Sequence, residues 1–322
     1  LADNGYDTND PGDADTGANG LQNYPLLASA VSTTAGTTVT GSLNSSANTP
    51  YRIDFYTNRP ADLDGSHGEG ARWIGTTTVT TDGSGNAVIN AVLAEAWVNH
   101  GDRVTATATR DLGGGGYGGT SEYATNVVAT ASGVVVVDTL AETLDGTVSS
   151  ITNLGSNRGA DGRISLAEAM AAVNATANGA TPDRIVFAIP PYIESGSYAT
   201  AILPPTITLS TALTTMTQAV FIDARTQPGY AGTPLVQLRG NGSVASGIVL
   251  AAGSTGSTVR GLVIGNFAAA GIEITGGNTH TIAGNWVGLG TDGVTADANG
   301  RGIVLANSTG TTIGGTDSAD RN

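Results

Sequence analysis

The chain has 322 residues, thirteen Arg and no Lys against 27 Asp plus Glu, a formal net charge of −14, and no Cys. Without clustered cations it has nothing to neutralise a nucleic-acid backbone or to hold an anionic membrane surface, and without Cys it makes no disulfide and no thiolate metal site. No apolar run reaches the length of a membrane span, and an excess of Gly, Thr, Ala and Val over Lys, Glu and Gln is the composition of a turn-rich all-β protein of two or three domains.

Residues 1–22 form an acidic segment. Asp3, Asp7, Asp10, Asp13 and Asp15 fall within it, and the first basic residue is Arg52. Gly5, Gly12 and Gly17 keep the segment from being a helix and allow tight wrapping. Five carboxylates this close repel one another unless a cation sits among them. Ca²⁺ takes six to eight oxygens, which carboxylates, Asn side chains and backbone carbonyls supply. The expected ligand set is Asp3, Asp7, Asn9, Asp10, Asp13 and Asp15, and the competing expectation is a solvated tail.

From Tyr24 to about Thr130 the pattern is short strands. Tyr51, Ile53 and Phe55 alternate with Arg52, Asp54 and Tyr56, a period of two that buries one face. Trp73–Thr80 and Ala87–Leu93 flank Asp82-Gly83-Ser84-Gly85, which reads as a hairpin turn. Val104, Ala106 and Ala108 alternate with threonines, Gly113–Gly116 reads as a loop, and Tyr123–Thr130 reads as a last strand. About seven strands in this space predict an immunoglobulin-like β-sandwich over 23–132.

Residues 133–322 read differently. Val134–Val137 is a strand. Ser165 and Glu168 make a capping box that opens a helix over Leu166–Val173, the one convincing helix of the chain. Arg184–Ile189 and Ile207–Leu209 are short strands. Then the sequence repeats. Gly247-Ile-Val-Leu250 returns as Gly271-Ile-Glu-Ile274 and Gly302-Ile-Val-Leu305. Thr258-Val-Arg-Gly261 returns as Thr281-Ile-Ala-Gly284 and Thr312-Ile-Gly-Gly315. Both series lengthen in the same place, which locates an insertion of about seven or eight residues within Leu289–Gly300. A period in the low twenties with several short strands each is the signature of a parallel β-helix.

These stretches carry a resemblance. NDPGDADTGANGLQNYP and GEGARWIGTTTVTTDGSGNA resemble the Asp-rich linker and immunoglobulin-like module of large bacterial surface proteins. Ile164-Ser-Leu-Ala-Glu-Ala169, FIDARTQPGYAGTP, Val259-Arg-Gly-Leu-Val-Ile264 and the Ile-Gly-Gly at Ile313 resemble their right-handed parallel β-helix domain. That domain commonly begins with a Cys-Ser-Leu-Arg-Glu-Ala motif, whose Cys and Arg are replaced here. The resemblance implies a non-enzymatic, extracellular, cell-surface role as a structural part of a fibre, surface layer or adhesin stalk. It also implies that Leu1 ends a preceding apolar strand and that the chain is one period of a longer array.

The last coil, TTIGGTDSADRN, has neither helix nor terminal Pro to cap it. An uncapped coil is expected to be continued by more chain or by another copy docking head to tail, residues 303–322 against residues 1–20. Surface glycan is the other partner to expect. The remaining constellations have plainer readings. Asn157–Glu168 has degraded EF-hand spacing, which the capping box already explains. Asp62, Asp64 and Glu69 fit a polar hairpin loop, and Asp292 and Asp297 fit turn formers. His67, His100 and His280 are isolated. Asp223 and Arg225 project to one side of a strand, as a salt bridge or, in the competing reading of a carbohydrate-binding or polysaccharide-cleaving β-helix, as a catalytic pair. Phe267 and Trp286 are the only aromatics of the repeats, which disfavours a sugar platform there.

Overall fold

A computed structural model describes residues 6–60, 65–190 and 204–322. The protein is mostly β. It divides between Ser132 and Gly133 into two compact units, each with its own apolar core.

The first unit holds eight strands: β1 (Leu26–Thr33), β2 (Gly36–Asn44), β3 (Pro50–Asn58), β4 (Arg72–Thr80), β5 (Asn86–Leu93), β6 (Arg103–Gly113), β7 (Gly116–Thr120) and β8 (Val127–Ala131). Their hydrogen-bonded order is β4-β3-β6-β8-β1-β2-β5, with β7 on β6. Among the described residues only β1 with β8 is parallel. Val39, Leu43, Ile89 and Leu93 of the β2–β5 side share one buried cluster with Tyr51, Ile53, Phe55 and Val104 of the β3–β6 side. The two ends of the strand path therefore bury alternate side chains against each other, as period two requires.

One turn differs from expectation. β4 and β5 lie at opposite ends of the strand path, so residues 82–85 carry the chain across the core and close no hairpin. Asp82 drives the turn locally, accepting from Ser84 N at 2.8 Å and Asn86 N at 2.9 Å. These bonds hold its carboxyl below the ordinary range. An Asx turn of this kind serves either connection, because its bonds fix residues 82–86 and not the strand that β5 then pairs with.

The second unit opens with β9 (Val134–Val137), α1 (Ile151–Ser156), α2 (Leu166–Ala175) and β10 (Asp183–Phe187). It continues with β11 (Thr206–Thr208), β12 (Val220–Asp223), β13 (Val236–Arg239), β14 (Ser246–Leu250), β15 (Thr258–Arg260), β16 (Leu262–Gly265) and β17 (Ala270–Ile274). The last strands are β18 (Thr281–Ala283), β19 (Trp286–Val287), β20 (Arg301–Leu305) and β21 (Thr312–Ile313). Among the described residues, all pairings between these strands are parallel and make three sheets: β9-β10-β12-β15-β18-β21, β11-β13-β16-β19 and β14-β17-β20.

Register explains why the strands stack. In the first sheet Val135, Ile185, Ile222, Val259, Ile282 and Ile313 pair in succession. In the second Ile207, Leu238, Ile264 and Val287 do so. In the third Ile248 pairs with Ile272, and Ile272 with Ile303. Every member of these columns up to Ile282 and Ile264 is fully or almost fully buried, whereas Ile313 is 47% exposed.

Among the described residues two α-helices, not one, lie between β9 and β10. α2 has the expected capping box: Ser165 Oγ accepts from Glu168 N at 3.1 Å, and Glu168 Oε2 accepts from Ser165 N at 2.9 Å. Glu168 is buried and also accepts from Asp145 N and Gly146 N, so the box ties a distant loop as well. α1 is capped by Ser150 and buries Ile151 and Leu154.

Candidate metal centre

The acidic segment is built from turns. Asp10-Pro11-Gly12-Asp13 places Pro at the second position and Gly12 at the third with φ 78°, the combination a type II turn needs. Asp13 follows with φ 59°, which a short polar side chain tolerates. The reversal folds Asp13 and Asp15 back beside Asp10.

Neighbouring residues then fix the turn. Asn23, 2% exposed, receives Asp10 N on Oδ1 at 3.0 Å and donates from Nδ2 to Asp10 O at 2.7 Å and Asn44 O at 2.9 Å. Asp13 Oδ1 accepts from Asn23 N at 2.7 Å, and Asp13 Oδ2 accepts from Ser45 Oγ at 3.0 Å. Gly12 N donates to Asn44 Oδ1 at 2.8 Å. Asp10 holds Ala14 N with both carboxylate oxygens. Tyr6 stacks on His67 at 3.9 Å between ring centres, with Tyr24 edge-on to the same imidazole.

The result is three carboxylates, Asp10, Asp13 and Asp15, with one oxygen of each within 4.8 Å of the others. Like charges this close repel one another. Asp15 Oδ1 is shielded from solvent and has no hydrogen-bond partner. Its carboxyl is pushed above the ordinary range, first by lost hydration, then by a hydrogen bond shared with Asp7 and by the charges of Asp10, Asp7 and Asp13. A hard divalent cation would reverse each of these penalties, because carboxylate oxygens are its preferred ligands.

The expected ligand set is thus gathered unevenly. Asp10, Asp13 and Asp15 converge, and Asp7 borders them through Asp15. Asn9 is engaged elsewhere: its amide donates to Tyr24 O at 2.8 Å and accepts from Tyr24 N at 2.9 Å, mimicking a strand partner. Asp3 lies outside the described residues, as do Leu1, Asp62 and Asp64. A small cavity of about 40 Å³, lined by Asp7, Asn9, Gln22, Tyr24 and Glu122, adjoins the segment, and Asp7 N donates to Glu122 Oε2 across it at 3.0 Å. Asn23 and Ser45 were not expected at the site. Asn23 follows directly on the acidic segment, but nothing in its neighbourhood marks it as a clamp.

The other constellations resolve into scaffolding. Asp223, 3% exposed, meets Arg184 Nη2 at 3.2 Å, Arg225 Nε at 3.4 Å and Arg260 Nη2 at 2.5 Å. Arg184 and Arg260 also lie over the Phe221 ring at 4.3 and 4.4 Å from its centroid. The insertion is a small hairpin closed by an antiparallel Leu289–Ala296 bridge. Asp292 forms its turn, and hydrogen bonds from Thr295 and Val294 lower its carboxyl to about 2. Asp297 does more than form a turn. It takes Arg239 in a two-point grip at 3.0 and 3.1 Å and Gln237 Nε2 at 3.0 Å, pinning the loop to β13.

No protein-family model matches the chain, and no curated protein matches it either.

Proposed function

We propose that the protein is a non-enzymatic structural segment of a bacterial cell-surface fibre or adhesin stalk, with a Ca²⁺-ordered linker leading into it. In this reading the first unit is an immunoglobulin-like sandwich (23–132). The second (133–322) is a right-handed parallel β-helix in which α2 covers the first coil, and residues 1–22 are the linker.

The observation that carries the reading is the matched register of the three parallel sheets. Ile, Val and Leu stand one above another at the interstrand spacing of about 4.8 Å, so each pass of the chain completes the core of the one before. An architecture that grows along one axis suits length and stiffness. β19, β20 and β21 present a free edge among the described residues, and Leu305 and Ile313 are 42% and 47% exposed there. Another copy docking head to tail would bury them. The Asp223–Arg225 pair, the obvious catalytic alternative, is consumed in an ion cluster.

The cation is proposed for Asp10, Asp13 and Asp15, with Asp7 completing the shell. Calorimetric titration of Ca²⁺ into the full chain tests it. Binding accompanied by a higher melting temperature, both lost in Asp13→Asn, is expected. No heat above the dilution blank would remove the cation from the proposal. Immunogold electron microscopy of the native cells tests the fibre itself: label along surface fibres supports it, and label confined to the cell interior contradicts it.

A further inference from the structure

One face of the first unit is prepared for a ligand that the structural reading does not require. Along β3, Arg52, Asp54 and Tyr56 project away from the core formed by Tyr51, Ile53 and Phe55. Across from them on β4 stand Thr78, Thr76 and Trp73. Trp73 reaches that position through a β-bulge. Phe55 pairs with Gly75 and Tyr56 with Trp73, so Ile74 is the extra residue and is buried, while Trp73 is 54% exposed. Gly75 permits the bulge at φ 147°, where a Cβ would lie 2.8 Å from Leu93. Bulges of this kind re-aim a side chain.

The indole is not loose. Trp73 Nε1 donates to Asp54 Oδ1 at 3.0 Å, and Arg52 Nη2 donates to the same oxygen at 2.9 Å. Asp54 is 8% exposed, yet its other oxygen, Oδ2, takes no hydrogen bond from any described residue. Arg52 also lies over Tyr117, its guanidinium carbon 5.7 Å from that ring's centre. Tyr117 is 50% exposed. The face therefore presents a fixed, open indole, an unspent carboxylate oxygen beside it, a guanidinium, and a second exposed ring.

We propose that this face binds a neutral, hydroxyl-rich saccharide. The C–H face of a pyranose ring stacks on Trp73, where the negative π face of the indole meets weakly positive C–H groups. A hydroxyl of the same ring donates to Asp54 Oδ2, and a neighbouring hydroxyl accepts from Arg52. The Trp73–Asp54 bond fixes the indole before binding, so little side-chain freedom is lost when the sugar arrives. Charge selects a neutral ligand: a net charge of −14 repels uronates and sulfated glycans at long range. A protein partner is less suited to a surface whose neighbours are Thr76, Thr78, Thr109 and Thr120. The apolar Val31, Val88, Val92 and Val128 are exposed on other strands.

The proposal is independent of the metal centre and of the fibre. The probes are four neutral tetrasaccharides, built of β-glucose, β-N-acetylglucosamine, β-galactose and α-mannose, offered to the full chain. Saturation-transfer NMR reads contact, and tryptophan fluorescence reads affinity. At least one should transfer saturation to its ring protons, with affinity falling about tenfold or more in Trp73→Ala and several-fold in Asp54→Asn. Trp73→Leu, which keeps apolar bulk without the π face, should lose binding while its melting temperature stays near that of the parent. The proposal is overturned if none of the four binds, or if Trp73→Leu binds as the parent does. It is also overturned if Trp73→Leu abolishes self-association in sedimentation without affecting any saccharide, because the face would then be a contact between copies.

Discussion

Replacing Asp183 with Asn should stabilise the second unit at neutral pH and do nothing in acid. Asp183 opens β10, is 2% exposed, and has Oδ2 without a partner. Burial raises its carboxyl from 3.8 to about 6. A carboxyl raised in the folded state holds its proton more tightly there than in the unfolded chain. Its favourable contribution is therefore complete below the unfolded value and is lost as pH rises through about 4 to 6. At neutral pH the folded state carries a buried, unpaired charge. A difference of about 2 pH units corresponds to about 3 kcal/mol, which water entry and relaxation reduce to about 1–3 kcal/mol. Asn has nearly the same shape and cannot ionise, so that cost disappears, leaving only the smaller one of an unpaired amide. Urea unfolding of parent and variant, followed by circular dichroism from about pH 4 to about pH 8, reads the difference. The curves should coincide in acid and separate above about pH 5, with the variant more stable. Parallel curves across the whole range would show that Asp183 carries no buried charge at neutral pH.

Three further outcomes follow from the packing. Ile222→Ala removes a fully buried side chain between Ile185 and Val259 and should cost about 3–4 kcal/mol in denaturant unfolding. Ile313→Ala, half-exposed at the end of the same column, should cost about 1 kcal/mol or less; equal costs would mean the column is not a continuous core. Asp297→Ala should release the inserted loop from Arg239 and Gln237 and cost about 1–2 kcal/mol. Hydrogen exchange should quicken at 289–300 and leave β14 and β17 unchanged, and unchanged exchange in the loop would show that the grip is dispensable.

Much of this was legible from residue patterns, and the failures share a cause. The columns could be read because the same residue types recur at positions that the parallel register pairs: Ile248 with Ile272 and Ile272 with Ile303, Thr258 with Thr281 and Thr281 with Thr312. The capping box was legible because both partners lie within four residues. α1 was not. ITNLGS contains Gly and two β-branched residues, and packing of Ile151 and Leu154 holds it rather than propensity. α2 runs two residues past its expected end, to Ala175, before Thr176 returns its hydroxyl to Ala172 O. The crossing at 82–85, the clamp of Asn23 and the grip of Asp297 all depend on partners distant in sequence, which local chemistry does not name. At the acidic segment the Pro-Gly turn could be read. Which carboxylates it gathers, and that Asn9 faces Tyr24 instead, depended on the fold.

The proposed function requires a stack that continues from one copy to the next, with a cation stiffening the linker. Negative-stain electron microscopy of the purified full chain, in millimolar Ca²⁺ and again in excess chelator, tests it most directly. Unbranched rods longer than one molecule are expected in Ca²⁺, falling back to single particles in chelator. Single particles in both, at concentrations where stacking would be saturated, would contradict it.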